Sequence, residues 1–358
     1  MIFRNVDSLE TKSIKRNKNS LPTGKQERNN NIDIMRGILV ILVCFLHVVD
    51  HICIDAKDTI IYNAIWSIQM PAFFMISGYV NKYSAQKSLL KFFTTRTKSY
   101  LLPWGIWTLL VKGVLFQQSN MYNPKYILWH MDSGYWFLFT LWVISIAFAV
   151  SKHMAYRLCK DKCRPSYLAM FSILYIVILV LYAIIAVIFG ITFLGMKYTL
   201  YYMVFYYVGY IYGEFENKMT IHKSWKKLKE YGVAFATIVF MYFISRYNFA
   251  TIQDSFDGII LRAIVSLAGC TTFFALICIN GACKIGSVLT WIGKSTLEVY
   301  VIHLLIIEYI VVNEKIELMS CFGLASVIFV TGTVLLITCV ITVIIHNNRV
   351  LKRIFVGK

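Results

Sequence analysis

The sequence predicts an all-α, polytopic membrane protein with about ten transmembrane helices and both termini in the cytoplasm. Three observations carry this prediction. First, 58% of the 358 residues are hydrophobic and 15% are charged, against roughly 25% charged in an ordinary soluble domain. With a mean hydropathy of +0.63, a water-soluble fold of this length has more apolar surface than a core can hide. That excludes a soluble enzyme, a disordered chain and a secreted disulfide scaffold. Second, apolar runs of spanning length alternate with short polar breaks. Third, the basic residues concentrate in every other break.

Residues 1–30 are basic and Asn-rich. They lack the apolar middle of a signal peptide and are expected to form a disordered cytoplasmic tail. Ten apolar runs follow, at about 34–53, 60–80, 99–116, 135–150, 167–190, 198–213, 231–248, 261–279, 287–311 and 322–345. They are too long for strands and do not alternate as a barrel does, which leaves helices as the spanning structure. The membrane domain therefore covers 31–346, and 347–358 forms a short basic cytoplasmic tail. With the N-terminus inside, 29 of the 36 Lys and Arg fall on the inner segments and 7 on the outer ones. The net charge of +18 thus reports topology and attraction to an anionic inner leaflet, as in a bacterial plasma or inner membrane, not a nucleic-acid partner. Cys44, Cys53, Cys270, Cys278 and Cys339 lie in or beside apolar runs and read as small core residues. Cys159 and Cys163 lack a second pair at zinc spacing.

Ionisable groups within spans are costly and are functional candidates by default. The first run, from Asn31 to His47, carries Arg36 and His47 eleven residues apart. On a helix that spacing returns to one face within about 20° and spans roughly 16.5 Å of axis. A guanidinium at the inner surface holds phosphates by charge-assisted hydrogen bonds, and a deep imidazole serves as a general base. Each also has a bland reading, as an interface anchor and as a helix–helix hydrogen-bond partner. Asp33, three residues before Arg36, either caps the helix or orients the guanidinium. His47, Asp50 and His51 have metal-like spacing, but Asp50 and His51 fall at the outer interface without a fourth ligand, so no metal is expected.

These residues resemble the opening signature of the acyltransferase-3 family of integral-membrane O-acyltransferases: a basic residue, ten positions, then His. The similarity continues at Met70 to Val80 (MPAFFMISGYV), Thr95 to Trp104 (TRTKSYLLPW), Tyr135 to Trp142 (YWFLFTLW) and Gly293 to Ile306 (GKSTLEVYVIHLLI). The five segments occur in the family's order, and the nearest branch is the fucose O-acetylase-like enzymes of surface polysaccharides. One departure is Gln69, where that branch often has His.

The resemblance implies a ten-helix enzyme in which His47 is catalytic and Arg36 contacts the acyl donor. It further implies a cytosolic acetyl-CoA or other acyl-CoA as co-substrate, a carbohydrate acceptor and no permanently bound cofactor. Arg96 and Lys98 at the inner mouth are candidate phosphate contacts, or plain positive-inside anchors. His303 and Tyr300 share a face of the ninth helix and are expected to line the cavity opposite His47. Glu298 is expected near the inner surface, pairing with a Lys, and Glu308 near the outer end, meeting substrate or water. Ser77 and Gly78 read as close helix packing, and Trp136 and Trp142 as interface aromatics. Without a hydrolase-like domain after the last helix, transfer falls to the membrane domain or to a separate protein. The competing class is a transporter or flippase, against which the lack of related halves weighs.

Overall fold

The computed structural model describes residues 30–83, 88–115, 117, 120, 123–131, 135–159, 164–221, 223–250, 255–279 and 286–357. The tail expected at 1–30 thus lies almost wholly outside the described residues, as does Cys163. Among the described residues the fold is all-α apart from one two-residue strand pair.

The first run forms α1 (Asn30–Ile52). It gives way to β1 (Cys53–Ile54), and Asp55 turns the chain through a left-handed conformation. Thr59 caps α2 (Ile60–Val80), its hydroxyl accepting from the Tyr62 amide at 3.3 Å. The third run is not a regular α-helix. It comprises α3 (Leu89–Arg96), a π-turn (Thr97–Leu101), the α-turn α4 (Leu102–Gly105) and a π-helical stretch (Ile106–Leu115). Pro103 accounts for part of this. It has no amide hydrogen to donate, and its ring clashes with the carbonyl four residues back at α pitch.

The short α5 (Pro124–Trp129) precedes α6 (Trp136–Leu158), α7 (Arg164–Phe189), α8 (Met196–Ile221), α9 (Lys223–Ile244) and α10 (Phe256–Ile279). The ninth run divides into α11 (Gly286–Lys294) and α12 (Thr296–Glu308), bent by 84°. Between them, at Ser295, the amide bonds back to the Trp291 and Ile292 carbonyls. After α12, β2 (Ile316–Glu317) pairs in parallel with β1. Then come α13 (Cys321–Asn347), capped by Ser320, and α14 (Arg349–Val356), capped by Asn348.

Each of the ten predicted runs falls on helical structure. Six helices are long and apolar enough to cross a membrane among the described residues: α1, α2, α6, most of α7, most of α10, and α13. The count is seven if the bent pair is one span. The third run is divided among short pieces. The Tyr-rich α8 and the Lys-rich start of α9 are too polar to qualify. Val187 and Ile188 on α7 and Phe322 and Phe329 on α13 are each at least 70% exposed, as expected of surfaces that face lipid tails.

Small residues set the helix spacing. At Gly78 on α2 a Cβ would meet the Tyr206 carbonyl of α8, and at Gly209 on α8 it would meet the Met75 carbonyl of α2. The expected packing role of Gly78 is therefore visible in the backbone. Gly37 and Gly293 do the same for α1 and α11, lying against the Leu289 and Asp33 carbonyls. The residues 347–358, expected as a tail, contain a docked helix. On α14 Val356 is buried, and the Phe355 carbonyl accepts from the Trp107 indole at 3.0 Å.

Candidate active site

The site grows from the contact of α1 with the bent pair. Asp33, Gly37, Val40, Cys44 and His47 recur at spacings of three and four, so they form one stripe of α1. Its N-terminal part lies on α11 at Leu289 and Gly293. Its C-terminal part brings the His47 ring to the His303 ring of α12, centroid to centroid 5.4 Å. The break between α11 and α12 lets one sequence segment follow α1 in this way.

His303 is fully buried. Its Nδ1 lies 2.8 Å from the Val299 carbonyl. A carbonyl only accepts, so Nδ1 carries the hydrogen and Nε2 presents a lone pair. That Nε2 is buried without a hydrogen-bond partner among the described residues. His47 is half-buried beside it. The Tyr300 ring lies 6.1 Å from His303 and 6.1 Å from Tyr135, and Phe137 packs on Tyr300 at 5.3 Å. The Tyr135 hydroxyl donates to the Val301 carbonyl at 3.1 Å, which fixes this aromatic wall.

Arg36 lies on the same uninterrupted helix as His47, so the helical geometry given by the spacing applies: one face, roughly 16.5 Å apart along the axis. The Arg36 guanidinium is 26% exposed and stands 3.9 Å from the Asp33 carboxylate, which is buried. Asp33 lies within the first turn of α1, beside Arg36; it is not the cap.

Arg96 and Lys98 part company. Arg96 donates to the Tyr100 hydroxyl at 2.7 Å and to the Asn81 side-chain oxygen at 3.1 Å. Asn81 in turn donates to the Tyr206 hydroxyl, so Arg96 ties α3 to α2 and α8. Lys98 is exposed. Glu298 departs from expectation: it is 1% exposed and pairs with His346 on α13 at 2.8 Å, not with a Lys at the surface. It lies at the start of α12, just after the 84° bend, where it is buried against α13, so His346 and not a surface Lys is within reach. Its second oxygen is buried without a hydrogen-bond partner among the described residues. His346→Ala should leave the carboxyl wholly unsatisfied, at a cost of about 1–3 kcal/mol. Detergent-solubilised H346A should melt below the wild type. His346→Gln, which keeps a donor, should recover most of the loss.

Within the trio of metal-like spacing, Asp50 and His51 bond to other groups. Tyr62 donates to Asp50 at 2.9 Å, and His51 meets the Ile310 carbonyl at 2.7 Å. Trp136 stacks on Tyr198 at 4.5 Å, and the Trp142 indole donates to Thr97 at 3.1 Å, so both bond within the bundle.

Sequence reasoning did not single out Lys112, although it lies within the apolar run 99–116. It belongs to the π-helical stretch, 12% exposed, with its ammonium 3.5 Å from Glu308. It also lies 5.6 Å from the Tyr135 ring centroid and within electrostatic reach of His47. An ionisable side chain inside a predicted run was the available signal. Gln69, on α2, is 9% exposed with its oxygen unpartnered among the described residues.

The family described as an acyltransferase domain, acyltransferase-3, matches residues 29–346 of the chain. The nodulation protein NolL of Mesorhizobium japonicum is 27% identical over 139 residues, an alignment covering 36% of this chain and 36% of that protein. The match thus spans about a third of that relative's length. No solved structure matches.

Proposed function

Because the chain belongs to the acyltransferase-3 family, we propose that it is an integral-membrane O-acetyltransferase. It moves an acetyl group from cytosolic acetyl-CoA to a sugar hydroxyl of a cell-surface polysaccharide or its precursor. In this reading the chain crosses the cell membrane ten times with both termini in the cytoplasm. The observation that carries it is the paired imidazoles His47 and His303, at 5.4 Å, on a helix whose inner end presents Arg36.

Arg36 binds the CoA phosphates, with Asp33 holding the guanidinium in place. The roughly 16.5 Å to His47 suits the pantetheine arm, which brings the thioester to the imidazoles. His47 removes the proton from the sugar hydroxyl as its oxygen attacks the thioester carbon. The carbon–sulfur bond breaks, and the CoA thiolate takes the proton back from the imidazolium. In the covalent variant, His47 attacks the thioester carbon and the CoA thiolate leaves; the incoming hydroxyl then attacks the acetyl-imidazole, losing its proton to Nε2 of His303 as the bond to His47 breaks, and His303 passes that proton to the thiolate. The orphaned lone pair of His303 supports either course, because a second base stands next to the first.

Arg36→Ala should raise the KM for acetyl-CoA roughly tenfold to a hundredfold, the loss of one charge-assisted contact, with a smaller effect on kcat. An unchanged KM would remove Arg36 from donor binding. The rival class, a permease, finds support in the broken pair α11–α12, since discontinuous helices also build transport sites. Purified protein given labelled acetyl-CoA distinguishes them: an enzyme releases free CoA, and a permease releases none.

A further inference from the structure

Within that reading one question is where the acceptor sits, and the molecule offers a second polar cluster on the far side of His47 from Arg36. Lys112 and Glu308 form an ion pair at 3.5 Å between the third helical run and the outer end of α12. A buried or half-buried ion pair costs desolvation that its attraction does not fully return, so it is weakly explained by stability. Three further observations attach this pair to the chemistry. The Lys112 ammonium lies within electrostatic reach of His47 and 5.6 Å from the Tyr135 ring centroid. Lys112 sits where the backbone is π-helical, from Ile106 to Leu115, a conformation that is rare and frequently found at functional sites. In the same stretch the Thr108 hydroxyl is buried and has no hydrogen-bond partner among the described residues.

We infer that Lys112 and Glu308 form the acceptor subsite and that its ligand is a neutral sugar presenting two adjacent hydroxyls. The carboxylate of Glu308, 32% exposed, accepts from one hydroxyl. The Lys112 ammonium donates to the oxygen of the neighbouring hydroxyl and turns it toward His47. The Tyr135 ring, 5.6 Å from the Lys112 ammonium, supplies an apolar face beside the sugar's C–H groups. The ion pair keeps both groups satisfied while the site is empty, and a diol exchanges one pair of contacts for another. A sugar acid would place its carboxylate against Glu308 and is disfavoured.

The inference rests on the acetyltransferase reading and is tested apart from it. Wild-type protein in liposomes is given labelled acetyl-CoA and, as acceptor, the source cell's envelope glycan stripped of acyl esters by mild alkali. Absence of transfer by the wild type sinks the reading under "Proposed function" itself. With transfer established, Glu308→Gln should raise the apparent KM for the glycan at least tenfold and shift that for acetyl-CoA less than twofold. The charge-swapped double variant K112E/E308K restores an ion pair and not a subsite, so its glycan KM should stay high. Restoration of wild-type glycan KM by the swap would show that the pair only braces the helices. Unchanged glycan KM in E308Q, or equal rises for both substrates, would overturn the assignment as well.

Discussion

His47→Ala should lower acetyl transfer to glycan by roughly 10²–10⁴-fold, the usual contribution of a positioned general base, while the protein still inserts and folds. The side chain is half-buried on α1 and makes its principal described contact with the His303 ring. Its removal therefore takes away reactivity and leaves the helix stripe that meets α11 intact. His303→Gln should be milder than His303→Ala, because an amide can still donate to the Val299 carbonyl and hold the position of His47. Mass spectrometry of released acetate and of the glycan gives both numbers. Wild-type transfer by H47A would remove the residue from the reaction.

The largest structural effect is expected from Gly209→Val. A Cβ at that position would enter the Met75 carbonyl of α2, and backbone cannot rotate aside as a side chain can. Overpacking costs about 1–3 kcal/mol where side chains absorb it, and this site should lie at or beyond the upper end. The helices have to part, and Gly78 against Tyr206 opens with them. Because Tyr206 accepts from Asn81, which holds Arg96, the damage should reach the inner end of the third run. G209V should melt well below wild type in detergent, with Gly209→Ala intermediate. Equal melting of all three would contradict the close approach of α2 and α8.

Hydropathy made the helices legible because burying backbone in lipid admits few alternatives. Arg36 and His47 stood out because ionisable side chains inside apolar runs are costly, and His303 because it lies in a segment that resembles the family's. Departures from regular helix did not. The window that identifies the run 287–311 averages over Lys294, Ser295 and Thr296, and so smooths away the break that buries Glu298. The π-helical pitch from Ile106 to Leu115 leaves no mark on hydropathy, so the sequence does not show which way Lys112 faces. His346 and Glu298 are 48 residues apart, and nothing in a single sequence links them. The tail of α14 was read from its basic residues alone, although Leu351, Phe355 and Val356 among them give an apolar face that docks beside Trp107.

These features share one consequence. The bend places Glu298 toward α13 and His303 toward α1 on a single short helix, and the third run brings Lys112 to the outer end of that same helix. Arg36, the two imidazoles and the Lys112–Glu308 pair follow one another along α1 and α12, the order that the proposed transfer requires.

The most direct measurement is a cryo-EM map of the protein in nanodiscs with a non-hydrolysable thioether analogue of acetyl-CoA. The account predicts the nucleotide phosphates at Arg36 and the acetyl carbonyl against the rings of His47 and His303. Phosphates bound away from α1, or an acetyl group that ends nowhere near the two imidazoles, would contradict it.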